Sequence, residues 1–279
     1  MVKNKATGYI TYLGGNTRHY INGILVLNES LKRVNSKYPL YCLVAGDFAK
    51  EDLKIMENEG IRLIHRKPYD FPKFFYNKEN EEERYWNGCF DKLQIFSLYN
   101  EFEKFVYLDG DMLVYKNIDH LFNCSHMTAC EDCYLITLKE ESKNFNAGLM
   151  VVYPNKKDWN ALLNYISRIN PITNNLVNDQ IILNCFYGNW LDCYKSHLLP
   201  TYNVFAPLSL SYRCCLNIED IFIGHYTTAV KPYMIAEKYE VDGLQPNIKN
   251  LMYIKYIKMW REVMAKTKFK NIWNNYWQG

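Results

Sequence analysis

Apolar positions along this chain fall into short runs and longer faces that alternate. Gly8 to Leu13 reads as a first strand, and Gly14-Gly15-Asn16-Thr17 after it as a turn that also offers a helix cap. Tyr20, Ile24, Leu27, Leu31 and Val34 recur at intervals of three and four, which is one face of a helix. Leu40 to Ala45 is a second strand, Lys50 to Glu59 a short helix, and Ile61 to Ile64 a third strand. Strand, helix, strand, helix, strand in this order predicts an α/β protein with a parallel, doubly wound sheet.

Pro68 to Glu83 breaks the pattern with prolines, aromatics and an acidic run, and reads equally as a flap or as a solvated loop. Gly88 to Tyr99 is mostly apolar and predicts a buried helix that carries Lys92, a side chain that in such a place usually snorkels to solvent. Phe105 to Leu108 then runs into Asp109-Gly110-Asp111, and Met112 to Val114 resumes the apolar run. An apolar run bounded like this is a buried strand, and open α/β sheets hold ligands just beyond the carboxyl ends of such strands. Two carboxylates there supply hard oxygen ligands for Mg²⁺ or Mn²⁺ and leave positions for a diphosphate; an ordinary Asp-Gly-Asp turn is the plainer alternative.

Phe145-Asn146-Ala147-Gly148 leads into the strand Leu149 to Tyr153, with an amide and two small residues at its start. Asn155 to Asn170 reads as an amphipathic helix, and Asn178-Asp179-Gln180 opens another, where Asp179 suits a cap. Ile221 to Tyr226 is a strand that reaches His225, a ligand only if the fold carries it to the Asp pair. Asn247 to Met264 has helical spacing, with Lys255, Lys258 and Arg261 on the polar face. The expected division is a single α/β domain over 1–240, followed by an amphipathic helix in 241–279 that packs on or extends it.

Composition narrows the partners. The chain has 279 residues with 33 Lys plus Arg against 30 Asp plus Glu, a formal net charge of +3, so nucleic acid is not expected as a partner. Hydrophobic residues make up 48%, enough for a large core, yet no run approaches the ~20 residues of a membrane span. Nine scattered cysteines lack the spacing of a disulfide framework, which points to a reducing compartment and a cytoplasmic protein. Cys130-Glu131-Asp132-Cys133 has no second matching pair, so neither zinc nor redox chemistry is expected there.

These segments, in this order over roughly residues 8 to 235, resemble the glycogenin-like members of family 8 retaining glycosyltransferases. Leu108-Asp109-Gly110-Asp111 resembles the D-x-D motif, Lys92-Leu93 the lysine ahead of it, and Phe145-Asn146-Ala147-Gly148 the F-N-S/A-G segment. Asp179-Gln180 resembles the D-Q pair, Leu199-Pro200 to Asn203 the L-P-x-x-N region, and Gly224-His225 with Lys231-Pro232-Tyr233 the H-x₅-K-P-W ending. The chain departs from that pattern at Leu176, Thr228 and Tyr233.

The resemblance implies a GT-A, Rossmann-like fold with a mixed, mostly parallel sheet flanked by helices. It implies transfer of a sugar, glucose first, from a UDP-sugar to a hydroxyl of a glycan or protein, with retention. Asp109, Asp111 and His225 would hold Mn²⁺, with Mg²⁺ as the alternative, and Lys231 would add charge at the diphosphate. Leu13, Asn16 and Tyr20 would border the uridine, while Gly110, Ala147 and Thr228 would complete the donor site. Asn146, Asp179 and Gln180 would read the sugar hydroxyls, with Lys92 near the sugar end and Gln180 nearest the reacting face. Asp179 is the only carboxylate offered as a nucleophile, and front-face displacement is preferred to it. A catalytically silent UDP-sugar-binding scaffold is the competing reading, and a homodimer is a further option.

Overall fold

A computed structural model describes residues 4–14, 18–70, 90–132, 144–169, 178–205, 218–227, 231 and 248–266. Gly15, Asn16 and Thr17 of the cap turn, most of the 68–83 stretch, Cys133, Leu176, Thr228 and Tyr233 lie outside these residues.

The strands are β1 (Ala6–Gly14), β2 (Leu40–Ala45), β3 (Arg62–Arg66), β4 (Phe102–Leu108), β5 (Met112–Val114), β6 (Thr128–Glu131), β7 (Phe145–Val152), β8 (His197–Leu198), β9 (Val204–Phe205) and β10 (Ile223–His225). The α-helices are α1 (Tyr20–Arg33), α2 (Lys50–Asn58), α3 (Lys156–Ile166), α4 (Asp179–Phe186) and α5 (Ile248–Lys266). The main sheet has the order β3-β2-β1-β4-β7-β6-β8, and a small sheet the order β5-β10-β9. β3, β2, β1 and β4 run parallel, whereas β7 is antiparallel to both β4 and β6. The sheet is therefore mixed, and its parallel part reverses strand order between β1 and β4. Ligands of open α/β sheets bind at such a point, outside the carboxyl ends of the strands.

Two hydrophobic cores cover the two faces of the main sheet. Val106, Leu108, Leu149 and Val151 belong to one, while their neighbours Phe105, Tyr107, Met150 and Val152 belong to the other, as strand alternation requires. Helix α1 is buried on nearly every side, from Ile21 through Asn28, and not on one face alone. The reason is tertiary: β5 and α5 pack on it as well, and a helix covered all round needs no polar stripe. Helix α5 contributes Met252, Tyr256, Ile257, Trp260 and Val263 to this core.

Three local expectations change. Phe90–Asn100 is wound as 3-10 turns interrupted at Leu98, not as a regular α-helix, and it is buried almost throughout. Helix α1 starts after His19, which makes no side-chain capping bond. Helix α4 is capped by Asn178, whose side chain accepts from Ile181 N at 2.8 Å, so Asp179 is released from that duty.

Candidate active site

The strand pattern ends β4 at Leu108, and the chain then turns from the main sheet into the small one. Asp109 N donates to Gly148 O on β7 at 2.9 Å, and Tyr226 N, just after β10, donates to Asp111 O at 3.1 Å. β10 pairs antiparallel with β5, placing His225 opposite Met112 and thus next to Asp111. One ligand atom from each of Asp109, Asp111 and His225 fits within a mutual distance of 4.8 Å. The three donors, two carboxylate oxygens and one imidazole nitrogen, suit a single divalent cation.

Each carboxylate divides its oxygens between a cation of the protein and this point. Asp109 Oδ1 accepts from Lys92 Nζ at 3.0 Å and from the Tyr107 hydroxyl at 2.7 Å, while Oδ2 faces His225 Nε2 at 3.8 Å. Asp111 Oδ2 accepts from Lys231 Nζ at 2.6 Å, and its Oδ1 lies 3.2 Å from His225 Nε2. Burial alone would raise the Asp111 pKa; the Lys231 ammonium, and after it His225, outweigh burial and hold it below the usual carboxylate range.

Lys92 is buried, not snorkelling, with only 6% of its surface exposed. It sits 2.9 Å from Asp179 Oδ2 at the start of α4 and 4.7 Å from the centre of the Tyr107 ring. Burial would lower its pKa, but Asp109 and Asp179 more than reverse this and keep the ammonium charged. Burial, reinforced by Asp109, raises the Tyr107 phenol well above its ordinary value and keeps it a donor.

Beyond His225 the polar side chains join hands. Asn203 Nδ2 donates to Asn146 Oδ1 at 2.8 Å, Asn146 Nδ2 to Gln180 Oε1 at 2.9 Å, and Gln180 Nε2 to Asp132 Oδ2 at 2.7 Å. Ala147 N gives a further bond to Gln180 Oε1 at 3.1 Å. Gly148 has a structural need: a Cβ there would stand 2.6 Å from His225 Cε1 and 2.9 Å from Asn146 Oδ1. Gly110 is packed on α1, where a Cβ would approach Ile24 to 3.0 Å.

Lys92, Asp109, Asp111, Asp179, His225 and Lys231 are thus linked through direct contacts, and Asn203 joins Asn146, Ala147 and Gln180 to His225. Tyr20 joins them at the margin: its ring lies 5.7 Å from Lys231 Nζ and 4.8 Å from the His19 ring. Leu13 is buried in the core of the sheet face that α1 covers. Tyr107, Asp132 and Asn203 are members that residue spacing did not single out. Only Asn203 carried a signal, through the L-P-x-x-N resemblance.

A mixed sheet with an acidic pair at its switch point, a returning histidine and a cluster of amides defines a glycosyltransferase of the GT-A fold. The glycosyltransferase GlyE of Streptococcus pneumoniae superposes with a TM-score of 0.60 at 20% identity, over 94% of this chain and 63% of that one. This chain thus spans less than two thirds of GlyE. A galactosyltransferase, LgtC, solved with donor and acceptor sugar analogues, superposes with a TM-score of 0.57 at 15% identity, over 93% of this chain and 96% of that one. The chain belongs to glycosyl transferase family 8, whose family model matches residues 13–234. Among curated relatives, galactinol synthase 6 of Arabidopsis thaliana is 28% identical over 262 residues, covering 83% of this chain and 74% of its own length.

Among the described residues no helix is long and apolar enough to cross a membrane.

Proposed function

We propose that this family 8 glycosyltransferase is a UDP-hexose-dependent hexosyltransferase that acts with retention on a hydroxyl of a glycan or protein. The observation that carries the reading is the meeting of Asp109, Asp111 and His225 within 4.8 Å, beside two buried lysines and the Asn146–Gln180 pair. Asp109, Asp111 and His225 would hold Mn²⁺, or Mg²⁺ in its place. When bound, such an ion supplies positive charge to the two phosphates and to the departing UDP.

The protein's own groups do the rest. Lys231 places a second positive charge beside Asp111, where the diphosphate belongs, and Tyr20 next to it would border the uridine together with Leu13. Gly110 and Ala147 keep the walls of the donor site close. Asn146 and Gln180 each use one N–H within the chain of amides, which leaves the other for a sugar hydroxyl. Lys92 holds Asp179 at 2.9 Å, and we favour front-face displacement because this carboxylate is already engaged. In that step the acceptor oxygen bonds to the anomeric carbon, the bond to the phosphate oxygen breaks, and the acceptor proton passes to the departing phosphate.

Glucose is the first donor sugar to test, and the galactinol synthases among the relatives make galactose the second. Cys42, Cys124, Cys130, Cys185 and Cys193 are all unbridged, which supports a reducing, cytoplasmic setting. The test is to incubate the protein with Mn²⁺ and each UDP-sugar, following UDP release and the masses of protein and candidate acceptors. UDP release with at least one hexose donor is expected. No release and no labelling with any donor, with or without acceptors, would leave the silent-scaffold reading in its place.

A further inference from the structure

The buried amides beside His225 form a chain with a direction. His225 Nδ1 meets Asn203 Oδ1 at 2.9 Å, and donation then proceeds from Asn203 to Asn146, to Gln180 and finally to Asp132. Groups that cannot be turned round set this direction. Backbone N–H groups only donate, and Gly148 N gives to Asn146 Oδ1 at 3.0 Å while Ala147 N gives to Gln180 Oε1 at 3.1 Å. The far end of the chain rests on Asp132, a carboxylate that accepts.

With Asn146 Oδ1 fixed as an acceptor, Asn203 must turn its NH₂ toward it and its own Oδ1 toward His225. An imidazole nitrogen that faces a carbonyl oxygen carries a proton. The remaining nitrogen, Nε2, is then the one directed at Asp111 Oδ1 and Asp109 Oδ2, at 3.2 and 3.8 Å. Asn203 is placed for this by the fold: β9, which follows it directly, pairs in parallel with β10, with Phe205 opposite His225. It is wholly buried, so water offers no substitute partner.

We propose that Asn203 is a positioning residue that holds His225 with its proton on Nδ1, so that the Nε2 lone pair is offered to a divalent cation beside Asp109 and Asp111. Through Asn146 it also ties that ring to the carboxamide of Gln180, fixing the metal side and the sugar side of the site relative to each other. The metal half of this inference rests on the proposed function; the position of the proton rests on the hydrogen bonds alone.

The test uses the wild type, Asn203→Ala and Asn203→Asp, all without donor sugar at first. ¹⁵N NMR of His225 in the wild type should show a proton on Nδ1 without metal, and with diamagnetic Mg²⁺ bound it should show Nδ1 protonated and Nε2 bare. Titration with Mn²⁺, followed by the electron paramagnetic resonance of the free ion, should show about a 10- to 100-fold loss of affinity in Asn203→Ala, as for other partners of metal-bound histidines. Asn203→Asp keeps an acceptor for Nδ1–H but cannot donate to Asn146. It should therefore bind Mn²⁺ much as the wild type does while losing turnover with the donor sugar. A wild-type ring with no proton on Nδ1 would overturn the proposal, as would wild-type affinity in Asn203→Ala or equal loss in both variants. If the wild type binds no Mn²⁺, the metal reading fails with its half of the proposal, and the NMR result still decides the tautomer.

Discussion

Lys92 Nζ stands 2.9 Å from Asp179 Oδ2, and the same ammonium lies 3.0 Å from Asp109 Oδ1. One buried cation therefore joins the start of α4 to the carboxylate that ends β4. Removing it leaves both carboxylates without their shared counter-charge, and breaking a buried pair in this way costs about 3 kcal/mol or more. Lys92→Met should lower unfolding free energy by that amount in urea denaturation. Adding Asp179→Asn to it should recover part of the loss, because the two sites share one network.

Gly148→Ala is expected to displace the His225 ring, since the new methyl would sit 2.6 Å from Cε1. Mn²⁺ affinity should fall by about tenfold or more, with circular dichroism unchanged. Gly188→Ala is the control, because its nearest neighbour, Cys185 O, is 3.5 Å away. That variant should bind Mn²⁺ as the wild type does.

His19 gives the fold a dependence on pH. Burial, helped by repulsion from Lys231, lowers its pKa from 6.5 to about 4. Below pH 6.5 the unfolded chain takes up a proton that the folded chain refuses until about pH 4, so stability present above pH 6.5 is lost as pH falls through that window. The gap corresponds to about 3 kcal/mol. Urea midpoints measured across the window should fall less steeply in His19→Gln than in the wild type.

Much of this arrangement can be read from residues. An apolar run stopped by Asp109 and Asp111 marks the end of β4, and the strand and helix periods give the order of elements up to β3. His225 and Lys231 acquire meaning only through the resemblance, because nothing local says that β10 returns to β5. Tyr107, Asp132 and Asn203 are different again. Tyr107 reads as a core residue of a strand, and its hydroxyl matters only because Asp109 turns back toward it. Asp132 meets Gln180 from 48 positions away, and Asn146 meets Asn203 from 57, through contacts that no local period encodes. Burial of α1 on all sides was hidden for the same reason, since its outer cover comes from β5 and α5.

Binding of UDP with and without Mn²⁺, measured by calorimetry on the wild type and on Asp111→Asn, tests the central claim most directly. The wild type should bind UDP strongly only when Mn²⁺ is present, and Asp111→Asn should lose that Mn²⁺-dependent binding. Unchanged affinity in Asp111→Asn, or wild-type binding indifferent to the ion, would contradict a metal site at Asp109, Asp111 and His225.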